Sequence, residues 1–252
     1  MTRAAIVTGA SSGIGRASAR RLAADGFAVL AVGRDEAALA EVCAGIEQAG
    51  GRAAPCAADV TAAGAPAAIL ALVDAAFGGL DALVNAAGVI ATGSVADTTD
   101  DTWDAMMNLN ARAPFRLLRA AAPALISRKG AVVNVSSVNG LRAFAGVTAY
   151  CVSKAAVDHL TRCAALDLAP AGVRVNAVNP GVTVTNLHRR GGMDEQRYAA
   201  FLERAKTTHP LGRPGTPEEI ADLIAFLVSP QAGWITGETI AIDGGRHLTC
   251  LR

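Results

Sequence analysis

A tyrosine and a lysine four positions apart are the two side chains in this sequence best suited to proton transfer. Tyr150 and Lys154 stand at the start of a predicted helix, Tyr150–Leu168, and residues at positions i and i+4 share one helix face. An unperturbed tyrosine has a pKa near ~10, and a neighbouring cation favours its phenolate form. The pair therefore predicts a tyrosine whose pKa is lowered toward the working pH, where it acts as a general acid or base.

Further polar and glycine-containing motifs follow the predicted strands. Asn134–Ser137 ends a valine-rich strand thirteen residues before Tyr150, and Asn85–Gly88 ends the preceding strand. Asn110 follows on a helix, and Pro180-Gly181 ends the next strand. Because open α/β sheets hold their sites at the carboxyl ends of parallel strands, we expect these motifs to share one site with the tyrosine.

A glycine-rich turn, TGASSGIG, spans Thr8–Gly15 between the first predicted strand and the first predicted helix. Glycines let a backbone turn tightly and approach a pyrophosphate, and the helix start supplies free N–H groups and a positive dipole end. A Walker-type phosphate loop is excluded, since Gly15 is followed by Arg16-Ala17 in place of Lys-Ser or Lys-Thr. The turn predicts dinucleotide binding, and its candidate contacts are Gly9, Ser11, Ser12, Gly13, Ile14 and Gly15.

The tip of the second strand bears on the choice between NAD and NADP. An acidic residue there would bond the ribose hydroxyls of NAD, but the tip carries Gly33 followed by Arg34, and an arginine suits a 2′-phosphate. Asp35 is interpreted as the N-cap of the next helix. NADP(H) is therefore the preferred cofactor; NAD(H), with Arg34 as an ordinary surface charge, remains the alternative.

Short apolar strands alternate with helices along the whole chain, which predicts a doubly wound α/β fold with a parallel sheet, a Rossmann fold, in a single domain of residues 1–252. The predicted strands are Ala4–Thr8, Ala28–Gly33, Ala53–Ala57, Leu83–Asn85, Ala131–Ser136, Val173–Val178 and Thr239–Ile242. The predicted helices are Gly13–Asp25, Asp35–Ala49, Pro66–Phe77, Tyr150–Leu168 and Pro217–Val228, the last with a capping box from Thr216 and Glu219. The one long irregular stretch, Val182–Arg213, is predicted to be a substrate lid.

Composition narrows the classes of protein that the chain can belong to. It has 252 residues, 52% of them apolar and 18% charged, with a net charge of +1. Such a chain builds a large core and lacks the basic patch of a nucleic-acid binder. No apolar run is long enough to span a membrane, the cysteines form no disulfide framework, and the histidines form no metal-ligand pattern. No secretory signal is recognised, so a cytoplasmic location is expected and no metal is predicted.

Taken together, these motifs resemble the short-chain dehydrogenases/reductases, single-domain kind, and especially members described as 3-oxoacyl-carrier-protein reductases. The resemblance covers nearly the whole chain, and it departs from the commoner pattern in reading NAAG for NNAG and in having Ser12 where many NADP-preferring members carry a basic residue. The motifs that carry it are TGASSGIG at Thr8–Gly15, Asp59-Val60, NAAG at Asn85–Gly88, Asn110, Ser137, Tyr150, Lys154, Pro180-Gly181, Gly212-Arg213-Pro214, Pro217-Glu218-Glu219 and Asp243-Gly244-Gly245.

The resemblance implies a role for each motif residue. Tyr150 would be the general acid in reduction and the general base in oxidation, and Ser137, favoured over Ser136 by its spacing to Tyr150, would bond the substrate oxygen. Lys154 would hold the nicotinamide ribose and lower the Tyr150 pKa, and Asn110 would hold a water that passes protons from solvent. The further implied cofactor contacts are Asp59 and Val60 at adenine, Asn85, Ala86 and Gly88 at the adenosine side and ribose, and Pro180, Gly181, Val182 and Thr185 at nicotinamide.

The predicted function is an NADP(H)-dependent oxidoreductase that interconverts a carbonyl and a secondary alcohol, with a 3-oxoacyl thioester or another ketone as substrate. Two alternatives stay open: an NAD-dependent alcohol, polyol or sugar dehydrogenase, and a cofactor-binding regulator or scaffold with little turnover. The resemblance also implies a homotetramer or homodimer.

Overall fold

A seven-stranded sheet forms the centre of the computed structural model, which describes residues 2–249; Met1 and residues 250–252 of the predicted domain lie outside that range. All strands are parallel, in the order β3-β2-β1-β4-β5-β6-β7. The order reverses direction between β1 and β4, which is the switch point where doubly wound sheets open a crevice. The predicted Rossmann fold is confirmed.

The chain alternates strand and helix through most of its length. The strands are β1 Arg3–Thr8, β2 Phe27–Gly33, β3 Arg52–Ala57, β4 Ala82–Asn85, β5 Ala131–Val135, β6 Arg174–Pro180 and β7 Thr239–Ile242. The helices are α1 Gly13–Ala24, α2 Glu36–Gln48, α3 Ala65–Phe77, α4 Asp100–Met107, α5 Ala113–Arg128, α6 Val138–Leu141, α7 Thr148–Leu168, α8 Leu187–Arg190, α9 Glu195–Thr208 and α10 Pro217–Val228.

The strands are apolar on both faces because helices cover the sheet from both sides. Val29 belongs to one buried cluster, with residues of α1, α2 and α10, while its neighbour Leu30 belongs to a second, with residues of α3, α5 and α7. Successive strand residues point to opposite faces, so one strand contributes to both cores. Each fully buried leucine or isoleucine stabilises the fold by roughly 1.5–3 kcal/mol, and this rigid sheet holds the strand ends in fixed relation.

The two predicted helix caps are present. Asp35 accepts a hydrogen bond from the Ala38 N–H at 3.0 Å at the start of α2. Thr216 and Glu219 form the reciprocal capping box of α10. The Asp35 carboxylate is therefore committed to its own helix.

The prediction that Val182–Arg213 is irregular is wrong. The segment contains the short helix α8 and the fourteen-residue helix α9, and Asp194 caps α9 by accepting from the Arg197 N–H at 2.8 Å. No bounds were predicted for α4 and α5, which lie between β4 and β5 and are joined by a π-helical turn at Asn108–Arg112.

Candidate active site at the carboxyl ends of the strands

The glycine-rich turn lies against the loop that follows β4. Gly9 has φ +68°, and a Cβ there would lie 2.9 Å from the Ala86 carbonyl oxygen, while a Cβ on Gly15 would collide with the Gly9 carbonyl. Thr8 ties the same loop down, since its Oγ1 accepts from the Ala86 and Ala87 N–H groups at 3.0 and 3.1 Å. Glycines here leave backbone exposed where a side chain would otherwise stand, as a dinucleotide cradle requires.

The first turn of α1 is open to a ligand. Ser12 stands at its N-cap position with extended backbone, and its side chain makes no capping hydrogen bond. The first N–H groups of a helix have no partner within it, and together they attract an anion such as a pyrophosphate. Ser11 and Ile14 are half-buried beside this turn, and Ile14 packs on the core beneath it.

At the tip of β2, an exposed arginine precedes a carboxylate, Asp35, that caps its own helix. Arg34 is exposed, while Gly33 leaves room beside Ser11, whose Oγ would lie 3.5 Å from a Cβ there. Asp59, across the crevice, accepts from the Thr61 N–H and hydroxyl at 2.9 and 2.7 Å, and these bonds, with the nearby Arg34 charge, lower its pKa.

Tyr150 lies in a small apolar cluster with Met106 and Ala149, and only 5% of its surface is exposed. Burial raises the pKa of Tyr150 to about 12, because an apolar site disfavours the phenolate, and a hydrogen bond with Ser137 opposes this shift only in part. The prediction of a tyrosine with a lowered pKa is therefore wrong for this arrangement of the site.

Lys154 lies beside Tyr150, as the i, i+4 spacing predicts. Its Nζ is 5.7 Å from the centroid of the Tyr150 ring and donates to the Val135 carbonyl at 2.9 Å. Burial lowers the pKa of Lys154 to about 8, although the nearby Asp158 charge opposes the shift. The Lys154 ammonium is thus directed at the Val135 carbonyl, and burial is the largest cause of the raised Tyr150 pKa.

The two serines after β5 have different partners. The buried Ser136 hydroxyl donates to the Lys154 carbonyl at 3.1 Å, so it ties β5 to α7. Ser137 faces Tyr150 and caps α6 by accepting from the Asn139 N–H at 3.1 Å. Ser137 is thus the hydroxyl placed beside the phenol.

Asn110 lies in the π-helical turn, 1% exposed. Its amide group donates to the Val89 carbonyl and to Ser153 Oγ, both at 3.0 Å, and accepts from the Val89 N–H at 3.0 Å. These bonds fix the β4 loop to α7, so the Asn110 side chain is committed to protein partners. A Cβ on Gly88 would stand 3.2 Å from Asn110 Oδ1 and 3.5 Å from Lys154 Nζ, which places the NAAG loop, the turn and the lysine together.

Comparisons with known proteins agree with this geometry. The family model described as Enoyl-(Acyl carrier protein) reductase matches residues 9–247. Short-chain reductase protein NovJ of Streptomyces niveus is 40% identical over 96% of this chain and 93% of its own length. The chain belongs to the short-chain dehydrogenase/reductase family. It is therefore an oxidoreductase of a family that uses NAD(P)(H), and the predicted recognition is confirmed.

Two further relatives place this short-chain dehydrogenase/reductase among single-domain members. The 3-oxoacyl-[acyl-carrier-protein] reductase FabG of Thermotoga maritima is 36% identical over 95% of this chain and 96% of its own length. A short-chain dehydrogenase/reductase of unknown function from Caenorhabditis elegans, solved with cofactor, superposes with a TM-score of 0.92 at 35% identity, covering 98% of this chain and 96% of that one.

Not every predicted cofactor residue presents its side chain to the crevice of this oxidoreductase. Asn85 is 3% exposed, and its amide group donates to Asn134 Oδ1 at 2.9 Å. The Asn134 amide group donates in turn to the Thr161 hydroxyl. Val60 is buried in the core beside Asn85. Asn85 and Val60 are therefore buried, whereas Ala86 and Gly88 are half-buried.

Pro180–Thr185 continues from β6 toward the glycine-rich turn. The Thr185 methyl carbon would lie 3.2 Å from a Cβ on Gly13, so the segment reaches across the crevice to the start of α1. The Val182 N–H donates to His209 Nε2 at 3.1 Å, which commits that amide to the protein. His209 is 2% exposed and was not predicted as a site residue, because its partner is backbone.

A second group that the sequence analysis missed lies beneath the serines. The buried Asp158 accepts from Asn179 Nδ2 at 2.9 Å, and the same amide donates to the Ser137 carbonyl at 2.8 Å. Burial raises the pKa of Asp158, and Asn179 Oδ1 is a buried acceptor without a partner. Asp158 stands four residues after Lys154, a helical spacing that the sequence displays.

Within residues 2–249, no group of three metal-ligating side chains is found. Over the same residues, no helix is long and apolar enough to cross a bilayer.

Proposed function

We propose that this short-chain dehydrogenase/reductase uses NADP(H) to interconvert a carbonyl and a secondary alcohol. The observation that carries the proposal is the meeting of Ser137, Tyr150 and Lys154 at the crevice beside Gly88. An acid, a second hydrogen-bond donor and a cation converge there, as reduction of a carbonyl requires.

The crevice fits a dinucleotide. Side chains at Gly9 and Gly15 would fill the cradle or collide with its backbone, and the start of α1 is uncapped. We propose that the turn Gly9–Gly15 holds the pyrophosphate, that Asp59 and Val60 lie at adenine, and that Ala86 and Gly88 lie at the ribose. Pro180, Gly181, Val182 and Thr185 would line the nicotinamide, with Val182 contributing apolar contact because its N–H is bonded to His209.

The protein's own groups handle the proton. Bound NADPH supplies the hydride. Tyr150 donates its hydroxyl proton to the carbonyl oxygen, and Ser137 donates a hydrogen bond to the same oxygen and so polarises it. In the direction of oxidation, Tyr150 accepts the proton from the alcohol. Lys154 would hold the nicotinamide ribose after its ammonium group gives up its hydrogen bond to the Val135 carbonyl. Asn110 holds the loop after β4 against α7 through its bonds to Val89 and Ser153.

The preference for NADP(H) over NAD(H) rests on the tip of β2. Arg34 is exposed there, and the adjacent Asp35 carboxylate is bonded to the Ala38 N–H at the start of its own helix. A guanidinium forms strong bonds with a phosphate.

The substrate is proposed to be a 3-oxoacyl thioester or another ketone, admitted by the lid at residues 182–213. Relatives at 40% and 36% identity carry different names, so overall likeness does not select a substrate.

We also propose a homotetramer or homodimer in the cytoplasm. Phe115 and Leu166 are exposed on α5 and α7, and the described cysteines are all free.

Oxidation of NADPH followed at 340 nm tests the proposal against an acetoacetyl thioester, simple ketones, keto-sugars and an enoyl thioester. Consumption with one carbonyl class, lost in Tyr150→Phe, is expected. Consumption with the enoyl thioester alone would replace the proposed reaction with reduction of a carbon–carbon double bond. Tight NADPH binding with no turnover across the panel would favour the regulator alternative.

A further inference from the structure

Helix α9 is bonded at both of its ends to the segment Val182–Thr185. Near its start, the Tyr198 hydroxyl donates to the Thr185 carbonyl at 2.9 Å. Directly after its last residue, His209 Nε2 accepts from the Val182 N–H at 3.1 Å. Both side chains are 2% exposed, so the two bonds form away from solvent and bracket the segment.

The tautomer of His209 follows from its partners. Nδ1 lies 2.9 Å from the Ala205 carbonyl oxygen, which only accepts, so Nδ1 carries the proton. Nε2 is then a free acceptor and is matched to the Val182 N–H. Burial also lowers the pKa of His209, which keeps the ring neutral.

The orientation of the Tyr198 ring is fixed by a cation above it. The ring lies under the Arg189 guanidinium, 3.9 Å from the ring centroid, and Arg189 is paired with Glu195 at 2.5 Å. Thr185, the residue that Tyr198 holds, is the one that reaches Gly13 in the glycine-rich turn.

The rest of the segment is fixed by backbone. The Gly215 N–H donates to the Val182 carbonyl at 2.9 Å, and the Val184 N–H donates to the Gly215 carbonyl at 3.0 Å. Gly215 therefore fixes the middle of the segment, while its two ends depend on side chains of the lid. A change in either side chain would move one end without removing the central bonds.

We propose that His209 and Tyr198 are positioning residues, which hold Val182–Thr185 in the shape that receives the nicotinamide end of the dinucleotide. The inference rests on the proposed function, because that function assigns the segment to the nicotinamide. Neither residue touches the reacting atoms. Their effect is exerted through the backbone at Val182 and Thr185, so it falls on cofactor binding more than on the chemical step.

Two amide variants separate the acceptor role of His209 from its bulk. His209→Gln places an amide group near the position of Nε2 and keeps an acceptor for Val182, whereas His209→Asn reaches only the position of Nδ1. We expect the NADP+ Kd, measured by calorimetry, to stay within about threefold of the parent in His209→Gln. In His209→Asn it should rise about tenfold, the fold-change that corresponds to the loss of one buried hydrogen bond of about 1.4 kcal/mol.

The two tyrosines of the chain give a matched pair of hydroxyl deletions. Tyr198→Phe should raise KM for NADPH about fivefold while kcat falls less than twofold, and Tyr150→Phe should show the opposite split. Hydrogen exchange over residues 182–185 should quicken in Tyr198→Phe and His209→Asn but not in His209→Gln. A general loss of stability would not raise KM in one tyrosine variant and lower kcat in the other. Nor would it spare His209→Gln while affecting His209→Asn.

The binding measurements distinguish a failure of this inference from a failure of the proposed function. Equal NADP+ affinity in the parent, His209→Asn and Tyr198→Phe would overturn the inference and leave the proposed function intact. A parent that binds neither NADP+ nor NAD+ would overturn the proposed function, and the inference with it. If His209→Asn does not fold, as judged by circular dichroism, Tyr198→Phe provides the same test alone, because it keeps the ring and loses one oxygen.

Discussion

The ammonium nitrogen of Lys154 lies 5.7 Å from the centroid of the Tyr150 ring, but its hydrogen bond goes to the Val135 carbonyl. The lysine is therefore near the phenol without being directed at it. Burial acts on both groups, raising the pKa of Tyr150 to about 12 and lowering that of Lys154 to about 8. A pKa of about 12 keeps Tyr150 in its neutral phenol form, which is the form that can donate a proton.

Replacing Tyr150 with phenylalanine should lower kcat at least about a hundredfold, since general acid catalysis contributes roughly 10²–10⁴-fold. The ring remains, so packing against Met106 and Ala149 is kept, and the Kd for NADPH should stay within about twofold. Steady-state kinetics and fluorescence titration measure the two quantities. Unchanged turnover would remove Tyr150 as the proposed acid.

Replacing Lys154 with methionine should change how stability depends on pH. The pKa of Lys154 is about 8 in the folded chain and 10.5 ordinarily, so between these values the unfolded state holds more protons and the free energy of unfolding rises with pH. It rises by up to about 1.4 kcal/mol per pH unit. From pH 8 to 9.5 the parent should therefore gain about 1–2 kcal/mol relative to Lys154→Met.

Urea unfolding at several pH values measures this difference, and Lys206→Met provides the control. Lys206 is an exposed residue of α9 that pairs at 2.6 Å with Glu203, three positions before it. Its substitution should leave the pH slope of the parent unchanged. Parallel pH curves for the parent and Lys154→Met would show that Lys154 keeps an ordinary pKa in the folded chain.

The fold was predictable because each central strand is a continuous apolar run, and such runs occur where both faces of a sheet are covered. The prediction for Val182–Arg213 was wrong because α9 is largely polar. It buries only Tyr198, Ala205 and Thr208, which is too thin a stripe to produce a clear helical period. The local signal for this helix is its N-cap, Asp194, which accepts from the Arg197 N–H.

The meeting of Ser137, which follows β5, with Tyr150, near the start of α7, was predictable from the motif residues. The site was not predictable where a side chain bonds distant backbone: His209 reaches Val182 across 27 positions, and no spacing rule encodes that contact. Nor does spacing reveal burial, which reversed the expected pKa direction of Tyr150.

Replacing Arg34 with alanine should raise KM for NADPH about tenfold or more and leave KM for NADH within about twofold, because only NADPH carries the 2′-phosphate that a guanidinium binds. Arg34 is exposed, so stability should not change. Steady-state kinetics with both cofactors measure the ratio. A parent that binds NADH ten times more tightly than NADPH would contradict the proposed preference.

Replacing Gly9 with alanine should both destabilise the fold and abolish dinucleotide binding, and Gly50→Ala separates the two causes. Both glycines have positive φ, +68° and +83°, so each alanine incurs backbone strain of about 1–2 kcal/mol. A Cβ at Gly9 would also lie 2.9 Å from the Ala86 carbonyl oxygen, whereas a Cβ at Gly50 meets nothing within 4 Å. Thermal unfolding and NADP+ titration should therefore show a modest stability loss with intact binding in Gly50→Ala, and a larger loss without binding in Gly9→Ala. Equal behaviour of the two variants would mean that strain alone, and not the contact between the turn and the β4 loop, makes Gly9 necessary.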